Sequence, residues 1–164
     1  MGIVKNIMDK VLSGACAVLL SFMTLLATYQ VITRYVFSSP STISEDLLSY
    51  SFVWVSLLGT ALVFGQKDHM KLSIFSDKLQ GVKQFALSFF TELLIMSIAI
   101  IVFFIGGTKV VGVGSIQISP TLNISMEWIY VVLPISGVLI VVYNFINIIQ
   151  LVQQFTKSKK EEIL

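Results

Sequence analysis

The chain has 164 residues, of which 55% are hydrophobic and 12% charged, with a formal net charge of +2. So few charges cannot cover a soluble domain of this length, and without a basic groove-binding motif they argue against nucleic-acid binding. Cys16 is the single cysteine, so an internal disulfide and a cysteine metal cluster are both excluded.

The uncharged runs set the elements. A membrane span needs about 20 mostly apolar residues, because helix rise is about 1.5 Å per residue and the hydrocarbon core about 30 Å thick. Four such runs predict an all-α integral membrane protein, a single membrane domain with spans at about 11–33, 47–66, 87–111 and 127–152. Lys5 and Lys10 precede the first run. That run exceeds the roughly 7–15 residues of a cleaved signal core, so it reads as a retained span. Cys16 inside it reads as a small buried hydrophobe.

Gly14, Ala17, Ser21, Thr24 and Thr28 recur at spacings of three and four along the first span. Such a stripe lets another helix approach closely, either within the chain or from a partner subunit. After it, Pro40 disfavours helix at the residue before it. Thr42 would then cap the second span with Glu45 three residues on, and Glu45 and Asp46 suit a helix N-terminus. The second span repeats the small-residue pattern more weakly at Ser49, Ser56, Gly59 and Thr60.

Between the second and third spans, Leu72, Phe75 and Leu79 predict a short amphipathic helix on the membrane surface over 70–81. The third span carries Glu92 and Lys109, each a turn or two from a membrane face, where snorkelling or a neighbouring subunit accounts for both. The following loop contains Gly114, Ser119 and Pro120 and no charge. The fourth span opens on Trp128 and Tyr130, as an interfacial belt does. Pro134 and Gly137 predict a kink there, because the Tyr130 carbonyl loses its partner. Asn144, Asn147, Gln150 and Gln154 form a polar stripe further along; in lipid such amides must face protein.

Orientation follows from the basic residues. Lys5, Lys10, Lys67, Lys71, Lys78, Lys83, Lys157, Lys159 and Lys160 share one side, nine of the eleven Lys and Arg; Arg34 and Lys109 take the other. The positive-inside rule then puts both termini in the cytoplasm and loops 35–44 and 114–125 outside.

Catalytic chemistry is lacking. There is no phosphate-cradling glycine loop, so nothing supports ATP hydrolysis. His69 is the lone histidine and reads as interfacial. Glu45-Asp46 is the paired carboxylate facing outside, without a histidine or metal motif to make it an enzyme site. No cofactor is expected. A coupled ion path needs a carboxylate near the midplane or broken helices around it. Neither is visible in the runs. The competing reading is a self-assembling four-span channel or small exporter lined by the fourth-span stripe.

Several stretches together carry a family resemblance. They are Gln30-Val31-Ile32-Thr33-Arg34-Tyr35-Val36-Phe37, Pro40, Glu45-Asp46, Phe52-Val53-Trp54, Leu58-Gly59-Thr60-Ala61 and His69. Ser119-Pro120-Thr121-Leu122, Met126-Glu127-Trp128-Ile129-Tyr130 and Pro134 complete the order. In that order and four-span frame, the chain resembles the small membrane subunit of tripartite ATP-independent periplasmic (TRAP) transporters. Ser125 and Ser73 depart from the family's usual proline and aspartate. The resemblance implies a bacterial inner-membrane scaffold in sodium-coupled secondary uptake of an organic acid, either a sialic acid such as N-acetylneuraminate or a C4-dicarboxylate. It also implies two partners, a large multi-span subunit and a periplasmic substrate-binding protein. Arg34, Glu45, Asp46, Trp54, Trp128 and Pro134 are then the loop and interface residues to follow.

Overall fold

The computed structural model describes residues 2–66 and 82–161, which are all-helical apart from two connections. The amphipathic helix expected over 70–81, and His69 before it, lie outside these described residues. The helices are α1 (Gly2–Tyr35), α2 (Thr42–Gln66), α3 (Val82–Ile98), α4 (Gly107–Gly114), α5 (Glu127–Tyr130) and α6 (Val132–Glu161). Eight residues of π-helix, Ala99–Gly106, join α3 to α4.

Four stretches are long and apolar enough to cross a membrane: Val4–Tyr35, Thr42–Gln66, Phe85–Gly114 and Glu127–Gln153. The first has 32 residues, about 48 Å of helix. That exceeds a hydrocarbon core of about 30 Å, so a tilted or overhanging helix is required. Much of the surface is apolar, with Val18, Leu25 and Phe90 among the large hydrophobics left open. Lipid is the solvent such a surface needs.

The two short connections, 36–41 and 115–126, lie at one end of the bundle, here the loop end. α1 stops where Ser38 takes a left-handed conformation (φ 51°) and the Ser39 N–H donates to the Thr33 carbonyl at 3.1 Å. Pro40 follows and cannot resume the helix. The cap of α2 is Ser41, one residue earlier than Thr42: the Ser44 N–H donates to Ser41 Oγ at 3.4 Å, and Ser44 Oγ donates back to the Ser41 carbonyl at 2.8 Å. Glu45 still lies in the first turn.

In the fourth span the helical hydrogen-bond ladder is interrupted at one residue, Val131, between α5 and α6, while the backbone there stays right-handed helical (φ −59°, ψ −22°). Pro134 is thereby the third residue of α6, in the first turn, where a missing N–H is tolerated. The π-helix opposite it widens the third span in the same layer. Glycines make this approach possible: a Cβ on Gly107 would stand 3.0 Å from the Pro134 nitrogen, and one on Gly137 would stand 2.8 Å from Phe103 Cβ. Leu12, Ala61, Ile95, Ala99, Ile140 and Tyr143 form the buried core, nearer the end that holds the termini.

Candidate subunit-interaction surfaces

Three groups of residues on this frame bear on function, and each faces a different way. At the terminal end, the polar stripe of the fourth span turns inward. Asn144 and Asn147 are buried at 3% and 1% exposure. Asn147 accepts from the Lys5 ammonium at 3.4 Å and donates to the Phe64 carbonyl at 3.4 Å, tying α6 to α1 and α2. One turn earlier, the Tyr143 hydroxyl donates to Asp9 at 2.7 Å. Lys5 and Asp9, four apart on α1, thus meet Asn147 and Tyr143, four apart on α6, in antiparallel register. Gly65 completes the cluster, because a Cβ there would stand 2.5 Å from the Tyr143 ring. Asn144 Oδ1 and Ser136 Oγ are buried without a hydrogen-bond partner among the described residues. Gln150 is half-buried at the edge. Asn144 and Asn147 therefore face the interior of this chain.

The first-span stripe faces the other way. Gly14, Ala17, Ser21, Thr24 and Thr28 are all exposed, while Leu12, Cys16, Leu19 and Met23 turn toward the bundle. The stripe's hydroxyls are satisfied locally: Ser21 donates to the Ala17 carbonyl at 2.8 Å, Thr24 to Leu20 at 2.9 Å and Thr28 to Thr24 at 2.8 Å. With those groups occupied, the stripe presents a shallow, effectively apolar groove beside the exposed Val18, Phe22 and Leu25.

At the loop end, the 115–126 connection folds on itself and onto α2. Ile118 bridges Ser125, Met126 N–H donates to the Gln117 carbonyl at 2.9 Å, and Asn123 takes a left-handed φ of 53°. Ser119 is fully buried, 3.0 Å from the Tyr50 hydroxyl, and Thr121 donates its hydroxyl to Asp46. Asp46 therefore serves the second connection. Arg34 and Glu45 are exposed, Trp54 is half-buried and Trp128 is open at 68%. Pro134 lines an apolar cleft of about 310 Å³ with Phe104, Ile135, Val138 and Leu139. Among the described residues, no group of three His, Cys, Asp or Glu is placed to hold a metal.

Two contacts escaped the sequence reading. Asp9 and Thr121 sit in stretches that read as anchor and loop, and their partners lie far away in the chain. The available signal was the matching four-residue spacing, Lys5/Asp9 against Tyr143/Asn147, in runs that are otherwise apolar.

Comparison with known proteins agrees with this architecture. Residues 23–154 match the family described as tripartite ATP-independent periplasmic transporters, DctQ component. The chain is 31% identical over 144 residues to the sialic acid TRAP transporter small permease protein SiaQ of Vibrio cholerae, covering 85% of this chain and 78% of that one. It is 30% identical over 91 residues to a putative TRAP transporter small permease protein of Haemophilus influenzae, spanning 56% of each. It is also 27% identical over 119 residues to the sialic acid TRAP transporter permease protein SiaT of Haemophilus influenzae, which takes in 72% of this chain but 19% of that longer one. A multi-pass helical membrane protein matched over most of its length in this way belongs to the DctQ family, the small membrane component of TRAP transporters.

Proposed function

We propose that the chain is a scaffold for sodium-coupled uptake of an organic acid, holding a large multi-span subunit in the bacterial inner membrane beneath a periplasmic binding protein. The observation that carries this reading is where charge lies. The ionisable residues of the described spans gather toward their ends, Lys5, Asp9, Lys10 and Glu92 at the terminal end and Arg34, Glu45, Asp46, Lys109 and Glu127 at the loop end. A coupled transporter must hold its ion and substrate near the midplane. That work falls to a partner. The SiaT relative supports the pairing, since a segment like this chain is one fifth of a single longer permease.

The substrate favoured is a sialic acid, because SiaQ and SiaT are both named for it; a C4-dicarboxylate is the other member of the class. Both termini face the cytoplasm on the lysine asymmetry. The surface offered to the large subunit is the outward groove of α1 at Gly14, Ala17, Ser21, Thr24 and Thr28. Arg34, Glu45 and Trp128 lie at the face turned toward the binding protein.

Reconstitution tests the reading. In liposomes the chain alone gives no sodium-dependent uptake of N-acetylneuraminate. Adding the large subunit and the loaded binding protein produces uptake, and omitting this chain abolishes it. Flux through the chain alone, or full activity without it, defeats the scaffold assignment.

A further inference from the structure

The connection over 115–126 has the opposite polarity to a loop that projects into water. It carries no charge. Its hydroxyls turn inward: Ser119 is fully buried, 3.0 Å from the Tyr50 hydroxyl and 3.3 Å from that of Thr121. Thr121 donates to Asp46, and Ser125 donates to the Gly114 carbonyl at 3.3 Å. Part of the backbone follows them. The N–H groups of Gln117, Ser119, Asn123 and Met126 donate to the carbonyls of Gly114, Ile124, Ser119 and Gln117. Apolar side chains are what remain outside, with Ile116 open at 83%, Ile118 at 65% and Ile124 at 41%. In water the stable arrangement is the reverse, because hydroxyls are solvated at no loss while exposed isoleucines are not.

The contacts to α2 fix the level at which this happens. Asp46 and Tyr50 are the fifth and ninth residues of α2, about 6 and 12 Å from its start. The 25 residues of α2 make about 37 Å of helix, against about 30 Å of hydrocarbon. A centred α2 thus has Asp46 close to the boundary between acyl chains and headgroups. Tyr50 leans toward the helix N-terminus, as helical side chains do. Both ties therefore hold the connection beside the first turns of α2, at that boundary, instead of beyond the helix end. Its apolar surface also continues that of the third span: Val110 and Val113, exposed at 40% and 54%, lead at the same three-residue spacing to Ile116. We propose that the 115–126 connection is a membrane-surface element, inserted in the phospholipid leaflet at the loop end. Ile116 and Ile118 lie at the headgroup–acyl boundary, and the Gln117 and Asn123 amides stay among the hydrated headgroups. A protein partner fits this surface less well. Protein interfaces centre on aromatic residues and arginine, and 115–126 contains no Phe, Tyr, Trp or Arg.

Spin labels test the depth. With Cys16 replaced by serine, a nitroxide is attached at Ile116→Cys or Ile118→Cys, and for reference at Ser39→Cys on the other connection. All three positions are exposed, so the label displaces no packing. Each chain is reconstituted in phospholipid liposomes alone, then with the large subunit, then with the loaded binding protein added. Oxygen concentrates in lipid and a nickel chelate stays in water. The ratio of their collision rates at 116 and 118 should exceed the ratio at 39 severalfold in all three preparations. A ratio equal to that at 39 in the chain alone would put the connection in water. A high ratio lost on assembly with the large subunit would give the isoleucines to that subunit. One lost only when the binding protein is added would make them its docking face, and each of these outcomes overturns the proposal. The first preparation needs no partner, so failure to assemble with the large subunit would defeat the scaffold reading while leaving this one to be decided by the chain alone.

Discussion

The terminal-end cluster shows how differently two neighbouring residues contribute. Tyr143 is fully buried and donates to Asp9, while its ring lies against Gly65. Hydrogen bonds between helices in membranes average well under 1 kcal/mol and reach about 1.7 kcal/mol at most. Tyr143→Phe should therefore cost at most about 1.7 kcal/mol, seen as a small drop in the thermal midpoint of the purified chain in detergent. Gly65→Ala puts a methyl 2.5 Å from an aromatic carbon that has no space to move into. Overpacking of this kind costs about 1–3 kcal/mol. Of the two, the alanine variant should be the less stable. If Tyr143→Phe unfolds the chain while Gly65→Ala is neutral, the hydrogen bond rather than the close approach holds α6 to its neighbours. Gly14 is the internal control. A Cβ there meets nothing within 4 Å, so Gly14→Ala should leave the isolated chain as stable as wild type or slightly more so.

Among the elements, α1 and the α3–α6 contact make opposite demands on small residues. The α1 stripe is exposed along its whole length, so bulk added there does not disturb the chain's own packing. Ala17→Leu or Ser21→Leu should leave the thermal midpoint of the isolated chain unchanged but reduce co-purification of the large subunit. Val18→Leu, at a position already large and 70% exposed, should do neither. Equal recovery of the partner with all three variants would remove the stripe from the interface. Gly137→Ala is the reverse case, because its methyl would meet Phe103 Cβ at 2.8 Å and the Phe103 carbonyl carbon at 3.1 Å. Backbone cannot swing aside, so this variant should lose about 1–3 kcal/mol as an isolated chain. Much of this level is legible in sequence. The spacing of Gly14, Ala17, Ser21, Thr24 and Thr28 is visible, but which way it faces is not: the stripe and the inward row at Leu12, Leu19 and Met23 are both compatible with burial until the other helices are placed. The π-helix over Ala99–Gly106 is equally hidden, because one extra residue per turn leaves an apolar run apolar. The approach of Gly107 to Pro134 across the bundle is its nearest trace. The cap shifted from Thr42 to Ser41 because two hydroxyl residues in succession offer the same chemistry, and only geometry chooses between them.

For the whole molecule, the solvent dictates what a sequence reveals. In lipid the backbone must satisfy itself, so each uncharged run has one available structure, and the four helices follow from hydropathy alone. Which helices touch depends on contacts between residues more than a hundred apart in the chain, Lys5 with Asn147 and Asp9 with Tyr143, and no local pattern specifies those. The bundle's two ends are nonetheless physically distinct. One holds both chain termini; the other holds two short connections, the second tied to α2 by the Tyr50–Ser119 and Thr121–Asp46 hydrogen bonds. Nine of the eleven Lys and Arg belong to the segments at the terminal end. Translocating lysine-rich segments is disfavoured, so that end should face the cytoplasm. The prediction is checked by accessibility in intact cells. With Cys16 replaced by serine, single cysteines at Ser39 and Gln117, both exposed on the connections, should react with a membrane-impermeant thiol reagent from the periplasm. A cysteine at Ser158 should react only after the inner membrane is permeabilised. Labelling of 158 together with 39 in intact cells would require an even number of crossings between them instead of three, and would break the frame on which the scaffold reading depends. Labelling of 158 alone would instead invert the whole bundle, placing the Asp46–Thr121 platform in the cytoplasm, where no periplasmic protein could reach it.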